Sequence, residues 1–163
     1  MILSVFPCTG KTSVASYKNG FIDLESSCLF VDGQRPDNWE EIYVNFAVDL
    51  SKQGYTVFIS SHKSVRDCMT KRNIPFVSVF PSKYLKEFWK DKLEKRFKED
   101  NSDKNRRAME YVIKNYEQSI DDMSKDMITF RIENTDYKFE NVISNSLLIL
   151  ERYLFMHRDN EVK

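Results

Sequence analysis

Five short apolar runs, separated by segments with helical periodicity, constrain the fold of this 163-residue chain more than any other feature. Several runs lack strict alternation of apolar and polar side chains, which is typical of parallel strands that are covered on both faces. The runs are residues 2–6, 21–24, 56–60, 76–80 and 128–132 (ILSVF, FIDL, TVFIS, FVSVF and ITFRI). Their alternation with helical segments predicts an α/β fold, in which a parallel sheet carries helices on both sides.

Apolar residues recur at steps of three and four between the runs, which predicts helices. These stripes lie within residues 39–50, 85–97, 109–123 and 142–154. No repeat, low-complexity tract or linker divides the chain, so we expect a single domain over residues 1–163 with a last helix over about 140–157. The last stripe fits a helix packed on the sheet or a dimer contact, and the sequence leaves both open.

The charge balance and the cysteines exclude several classes of protein. The 25 basic and 25 acidic side chains cancel, whereas a dedicated nucleic-acid binder usually has a clear basic excess. The three cysteines, Cys8, Cys28 and Cys68, form no C-x-x-C pair, so neither a disulfide framework nor a zinc site is indicated. No signal peptide is evident, and nothing approaches the ~20 apolar residues of a membrane span. We therefore expect a cytoplasmic protein without membrane contact.

The first run leads into the ending of a phosphate-binding loop, Gly10-Lys11-Thr12. The motif requires a strand before the loop and a helix after it, and the sequence predicts both here, the helix over residues 11–17 (KTSVASY). Backbone amides at the helix N-terminus would then face bound phosphate, Lys11 would reach the β- and γ-phosphates of ATP, and Thr12 would ligate Mg²⁺. The predicted cofactor-binding residues are Pro7, Cys8, Thr9, Gly10, Lys11, Thr12 and Ser13.

Val5 stands where this motif normally has its first glycine. A β-branched residue disfavours the backbone torsions that a glycine permits there. Our interpretation is that Val5 ends the strand, while Pro7 and Gly10 carry the turn. On that interpretation the valine weakens phosphate binding more than it abolishes it.

Residues 83–107 form a charge-dense segment, with the core KDKLEKRFKEDNSDKNRR. Such a run is usually a solvated helix face followed by a polar turn. Its position directly after the fourth predicted strand favours a second interpretation, a mobile basic flap that closes over bound phosphates.

Several motifs together resemble small P-loop kinases of the nucleoside-monophosphate-kinase and shikimate/gluconate-kinase type, especially the short versions encoded by bacteriophages. The motifs are FPCTGKT, FIDLESS, RPDNWEEI, FISSHKSVRD and the flap, and they cover residues 1 to about 135. The resemblance implies a three-layer α/β/α fold with a five-stranded parallel sheet in the order 2-3-1-4-5 and a helical lid. It also implies Mg²⁺-dependent transfer of the ATP γ-phosphoryl group to a small acceptor, such as a nucleoside or deoxynucleoside monophosphate.

The resemblance implies roles for the acidic residues after the second strand. Asp23 and Glu25 match an acidic pair that holds Mg²⁺ through water and orients or deprotonates the acceptor, although Glu25 departs from the second aspartate of that pair. Related proteins often place an aspartate at the end of the third strand, where this chain has Ser60, Ser61 and His62. Asp23 is therefore the main metal candidate beside Thr12, and capping of a helix is its alternative role.

Basic residues supply the remaining candidates. Arg35, His62 and Arg66 are predicted to contact the acceptor together with Glu25, but His62 and Arg66 also fit simple exposed positions. Arginines in a closing lid would stabilise the negative charge that accumulates during transfer. The lid candidates are Arg96, Arg106 and Arg107, supported by Lys92 and Lys95.

Two other functions stay open at this stage. A nucleotide-binding or regulatory protein without catalysis is favoured by Val5 and by the missing aspartate after the third strand. A 5′-polynucleotide kinase shares the phosphate loop, but the zero net charge argues against a long nucleic-acid groove.

Overall fold

The computed structural model of the chain describes residues 1–30 and 34–157. All five predicted runs form strands, and the strands build one all-parallel sheet in the order β2-β3-β1-β4-β5, which confirms the predicted topology. The strands are β1 (Ile2–Val5), β2 (Phe21–Asp23), β3 (Thr56–Ser60), β4 (Val77–Pro81) and β5 (Thr129–Ile132).

Within the described residues six α-helices connect and cover the strands, consistent with the expected three-layer α/β/α arrangement. They are α1 (Lys11–Tyr17), α2 (Trp39–Lys52), α3 (Lys63–Lys71), α4 (Lys86–Glu99), α5 (Asp103–Met123) and α6 (Phe139–His157). Short 3₁₀ helices follow β2 (Ser26–Leu29) and β4 (Lys83–Leu85). No helix in the described ranges is long and apolar enough to cross a membrane.

The core consists of two apolar clusters that the sheet separates. Ile2, Val57 and Ile59 face α2 and α3 on one side. Leu3 and Phe58, whose side chains alternate to the other side, join the larger cluster, to which α1, α4, α5 and α6 contribute. The strands are therefore apolar on both faces, as the unbroken runs predict for a parallel sheet.

The register brings three loops to one edge of the sheet. Val5 at the end of β1 pairs with Ser60 of β3 and Val79 of β4, while Asp23 of β2 pairs with Phe58 of β3. Because the strands are parallel, the loops after β1, β2 and β3 all leave at the carboxyl edge, where ligands bind in folds of this class.

The charge-dense segment forms a helical hairpin from α4 and the start of α5. Trp89 and Leu93 on α4 are buried in the larger cluster, so the first half of this segment belongs to the core. The helical φ/ψ pattern of α5 is interrupted at Asn115, whose side-chain amide donates to the carbonyl of Tyr111 at 2.8 Å. This kink separates a first part of α5, in which most side chains are exposed, from a second part whose inward side chains lie in the larger cluster.

Candidate functional site

The turn between β1 and α1 is carried by Cys8 and Gly10. Both have a positive φ, 61° and 118° respectively, and Gly10 immediately precedes α1. Val5 is the last residue of β1 and is buried in the core. The valine therefore occupies a strand position, and the unusual backbone torsions occur further along the loop.

The backbone amides of residues 8–13 lie in the turn between β1 and α1 and in the first turn of α1. Within the ranges that the structure describes, none of them donates a hydrogen bond to a backbone or side-chain group. The first helical turn always leaves such amides unpaired, and a run of unpaired amides with a helix N-terminus forms a favourable environment for an anion.

Two aromatic side chains fix the loop from its other side. The indole Nε1 of Trp89 donates to the carbonyl of Pro7 at 2.8 Å, and the Tyr137 hydroxyl donates to the carbonyl of Thr9 at 2.9 Å. The two rings stack with centroids 5.7 Å apart and planes at 13°. These bonds occupy the loop carbonyls and hold the loop in one conformation, which the sequence did not predict.

Lys92 lies against the same pair of rings. Its Nζ is 4.9 Å from the centroids of both Trp89 and Tyr137 and donates to the Tyr137 hydroxyl at 2.6 Å. Burial lowers the pKa of Lys92 from its ordinary value. Arg96, one turn further along α4, places Nη1 3.9 Å from the Cys8 sulfur, so two cations of the predicted flap lie beside the loop.

Lys11, Thr12 and Asp23 form one cluster at the carboxyl edge of the sheet. The Thr12 hydroxyl donates to Asp23 Oδ2 at 2.5 Å, and Lys11 Nζ lies 3.3 Å from Asp23 Oδ1. The Asp23 side chain is only 7% exposed, and its Oδ1 accepts no hydrogen bond. Lys11 compensates the charge of this oxygen, and a metal ion can bind the carboxylate by sharing it with Lys11 or by displacing Lys11.

The donor atoms of this cluster fit Mg²⁺. Magnesium prefers oxygen ligands and usually keeps several waters, so that one or two protein oxygens suffice. Thr12 and Asp23 supply a hydroxyl and a carboxylate in contact with each other. Among the described residues no group of three or more acidic, histidine or cysteine side chains forms a metal cage. The cluster therefore suits a metal ion that is shared with a phosphate ligand.

A cavity of about 780 Å³ opens beside the loop. Its volume lies in the range of pockets that hold small molecules, roughly 300–1,000 Å³. The wall combines aromatic and charged side chains from the loops after the first three strands and from the start of α5. Among the lining residues are Phe6, Glu25, Phe30, Arg35, Ser60, Ser61, His62, Arg107 and Tyr111.

Arg35 is held in this wall by two aromatic rings and one hydrogen bond. Its guanidinium carbon lies 4.0 Å from the Trp39 ring centroid and 4.7 Å from that of Phe30, and its Nη2 donates to Ser26 Oγ at 3.0 Å. Among the described residues no hydrogen-bond acceptor lies against its buried Nε. An arginine fixed by aromatic rings with an unpaired N–H is prepared to bind an anion.

His62 lies on the same side of the cavity as Arg35. Its ring meets the Trp39 ring edge to face, with centroids 6.1 Å apart, although the residue remains exposed. Displacement of water by the neighbouring groups lowers the pKa of His62, and the Arg35 charge lowers it further. The imidazole is therefore neutral at pH 7 and able to accept or donate a hydrogen bond.

The ends of β2 and β3 are tied together by a buried tyrosine. The Tyr43 hydroxyl accepts from the backbone amide of Ser60 at 2.9 Å and donates to the carbonyl of Leu24. Burial raises the pKa of Tyr43 well above its ordinary value, so the hydroxyl stays protonated. This contact fixes the spacing between two of the loops that line the cavity.

The other predicted arginines are placed differently. Arg66 is 3% exposed, and its Nη1 pairs with Asp126 at 2.5 Å, so its guanidinium is engaged inside the protein although it lines the cavity. Arg106 is exposed and pairs with Asp103 at 2.7 Å. Arg107 lines the cavity, whereas neither Arg96 nor Arg106 does. The structure thus brings Arg35, His62, Glu25 and Arg107 around one space.

No protein-family model matches this chain, and no curated protein or solved structure matches it either. The geometry of the site itself is therefore the basis for a function.

Proposed function

We propose that the protein is an ATP-dependent phosphotransferase that transfers the γ-phosphoryl group to a nucleoside or deoxynucleoside monophosphate. The observation that carries this proposal is the contact of Lys11, Thr12 and Asp23 beside a loop of unpaired amides. This is the set of groups that an Mg²⁺-bound triphosphate requires, and it adjoins a cavity large enough for an acceptor.

The donor side of the site is assigned to the loop. The amides of residues 8–13 and Lys11 bind the β- and γ-phosphate oxygens, while Thr12 and Asp23 hold Mg²⁺. When bound, Mg²⁺ neutralises charge on the phosphate oxygens. Asp23 must release Lys11 or Thr12 in part to do so, since both contact its carboxylate. The chain's own contribution is positioning and positive charge, which are the main sources of catalysis in phosphoryl transfer.

The acceptor side is assigned to the cavity. The Arg35 guanidinium, whose Nε makes no hydrogen bond within the described ranges, binds the phosphate of the substrate monophosphate. The rings of Phe30 and Tyr111 supply apolar surface for a base, and Glu25 and His62 supply hydrogen bonds to its polar edges or to the sugar. The combination of one fixed cation and exposed rings favours a nucleotide over a polyol.

Two arginines of the helical hairpin supply further positive charge near the phosphates. Arg107 lines the cavity and Arg96 lies beside Cys8 of the loop, so both are assigned to the phosphates. Arg106 reaches the site only if it leaves Asp103 and the hairpin moves. The same helical hairpin excludes water from the reacting groups.

The test is a transfer assay with γ-labelled ATP, Mg²⁺ and a panel of nucleoside monophosphates, deoxynucleotides, polyols and a 5′-hydroxyl oligonucleotide. We expect labelled nucleoside diphosphate from one or a few monophosphates. Lys11→Ala removes the cation at the β- and γ-phosphates and lowers kcat at least about 10²-fold, as loss of one charge-stabilising donor does elsewhere. Lys52→Ala, an exposed lysine at the end of α2, is the matched control and leaves the rate unchanged. Wild-type turnover by Lys11→Ala would contradict the proposal.

A second function is favoured by the end of β3. Serine hydroxyls stand there instead of a carboxylate, which removes one charge from the metal environment. A nucleotide-binding protein without catalysis needs no such carboxylate. Calorimetry separates the two functions, because tight Mg²⁺-ATP binding with no transfer to any acceptor of the panel selects the non-catalytic one.

A further inference from the structure

The outward face of α6 changes character along its length. Its inward face is buried on the sheet side through Phe139, Val142, Ile143, Ser146 and Leu150. Opposite to these, the first half of the helix exposes polar side chains, as a solvated surface should. The second half exposes apolar ones instead: Leu148 is 52% exposed, Phe155 is 75% exposed and Met156 is 65% exposed.

Two opposite charges stand between these apolar residues. Glu151 and Arg152 are exposed on the same face, and neither side chain forms an ion pair or hydrogen bond within the described ranges. The positions 148, 151, 152 and 155 are separated by steps of three and four, so they form one continuous stripe. We define this stripe as the α6 stripe.

The α6 stripe is complementary to itself in the antiparallel direction. If a two-fold axis passes between residues 151 and 152, Leu148 of one copy faces Phe155 of the other. Glu151 then faces Arg152 of the second copy, and the reverse contact forms by symmetry. Each of the four positions thus meets a residue of matching chemistry, which is the condition for a two-fold interface that uses the same surface twice.

We propose that the protein forms a two-fold homodimer through the antiparallel pairing of the α6 stripe. The matched positions span about 10 Å of helix, so the contact is small and the dimer is weak, with a dissociation constant in the micromolar range. Phe139 at the other end of α6 packs beside Gly10 of the phosphate loop. The stripe begins nine residues further along the helix, about 13 Å away, so pairing leaves the candidate site open.

The experiment is sedimentation equilibrium of the full chain between about 1 and 300 μM, which brackets a micromolar dissociation constant. Glu151→Arg places two like-charged pairs across the axis and weakens the dimer about tenfold or more. The double variant Glu151→Arg with Arg152→Glu exchanges the charges and restores both pairs, so its dissociation constant returns to within about threefold of the wild-type value. Phe155→Glu places a carboxylate against Leu148 and removes the dimer over this range.

Asp49→Arg on the exposed face of α2 is the matched control for charge reversal, and it leaves the association unchanged. A wild-type chain that stays monomeric at the highest concentration overturns the proposal. So does a dimer that ignores Glu151→Arg, or one that the double variant fails to restore, because either result places the contact on another surface. Association of the monomer with lipid vesicles through Phe155 would likewise assign the apolar surface to a membrane instead.

Discussion

At the scale of single residues, the loop between β1 and α1 can keep the geometry of a phosphate-binding loop without the first glycine of that motif. Val5 occupies the position of that glycine, lies in extended backbone at the end of β1 and packs in the core. The positive φ values belong to Cys8 and Gly10. A non-glycine residue in that region costs on the order of 1 kcal/mol, and the bonds from Trp89 and Tyr137 to the loop offset this cost.

His62 gives a prediction about pH. Its pKa is lower in the folded protein than the ordinary value of 6.5, so the unfolded chain binds its proton more tightly. The stabilising effect of a neutral His62 is fully present above that ordinary value and is lost as the pH falls through the folded value. We expect the free energy of unfolding to fall between about pH 7.5 and 5, and we expect His62→Gln to flatten part of this slope.

Urea unfolding at several pH values checks this. His157→Gln replaces the other histidine of the chain, which is exposed at the end of α6, and serves as the control. A slope that His62→Gln leaves unchanged, or one that His157→Gln flattens equally, would show that the surroundings of Arg35 and Trp39 do not act on His62.

At the scale of elements, the sequence predicted features that depend on neighbouring residues and missed contacts between residues far apart in the chain. The five strands and their parallel pairing follow from unbroken apolar runs, because a strand covered on both faces needs four or five consecutive residues that are mostly apolar. Lys11 and Thr12 follow from the loop motif after β1, whereas the resemblance implies the role of Asp23, and the structure brings all three into contact. The hydrogen bond from the Tyr137 hydroxyl to the carbonyl of Thr9 in the loop has no local sequence pattern, since the two residues are 128 positions apart.

Arg66 shows that a contact distant in the sequence can also change the predicted function of a residue. Its place near the start of α3, soon after the end of β3, made it a candidate for binding an acceptor phosphate. Its ion pair with Asp126 joins residues 60 positions apart, and no local sequence pattern predicts it. The pair decides the role of the side chain, because a guanidinium that is already bonded to a half-buried carboxylate has fewer donors left for a ligand.

The hydrogen bonds from Trp89 and Tyr137 to the loop carbonyls predict how the loop responds to a substitution. Tyr137→Phe keeps the ring that stacks on Trp89 but removes the hydroxyl that donates to the carbonyl of Thr9 and accepts from Lys92. We expect a loss of about 1 kcal/mol in the free energy of unfolding, the usual value of such a bond. Because the loop is then less fixed, we also expect ATP to bind several-fold more weakly.

Chemical denaturation and calorimetric titration with Mg²⁺-ATP measure the two effects. Tyr55→Phe is the matched control, since it removes a hydroxyl just before β3, at the opposite edge of the sheet from this loop. Equal effects of the two substitutions on ATP binding would mean that the bond from Tyr137 does not order the loop.

At the scale of the whole molecule, the candidate site depends on contacts that join its two sides. The loops after β1 and β2 meet through Lys11, Thr12 and Asp23, while Tyr43 joins the ends of β2 and β3. The wall formed by α5 is connected to α3 by Arg66, which donates to the carbonyls of Ser61 and Asp122 as well as to Asp126. The cavity therefore keeps its shape through side-chain bonds between elements, in addition to the apolar core.

The buried pair of Arg66 and Asp126 allows the last prediction. Asp126→Ala leaves the Arg66 charge buried without its partner and also removes the acceptor of the Ser78 hydroxyl in β4. Breaking a buried pair in this way costs about 3–5 kcal/mol, a large part of the stability of a small domain. Asp67→Ala breaks the exposed pair of Lys63 and Asp67 on the same helix, which is worth at most about 0.5 kcal/mol. Urea unfolding measures the loss in the free energy of unfolding for both variants. Similar small losses would mean that Arg66 is free to turn towards the cavity. It would then again be a candidate for binding the phosphate acceptor.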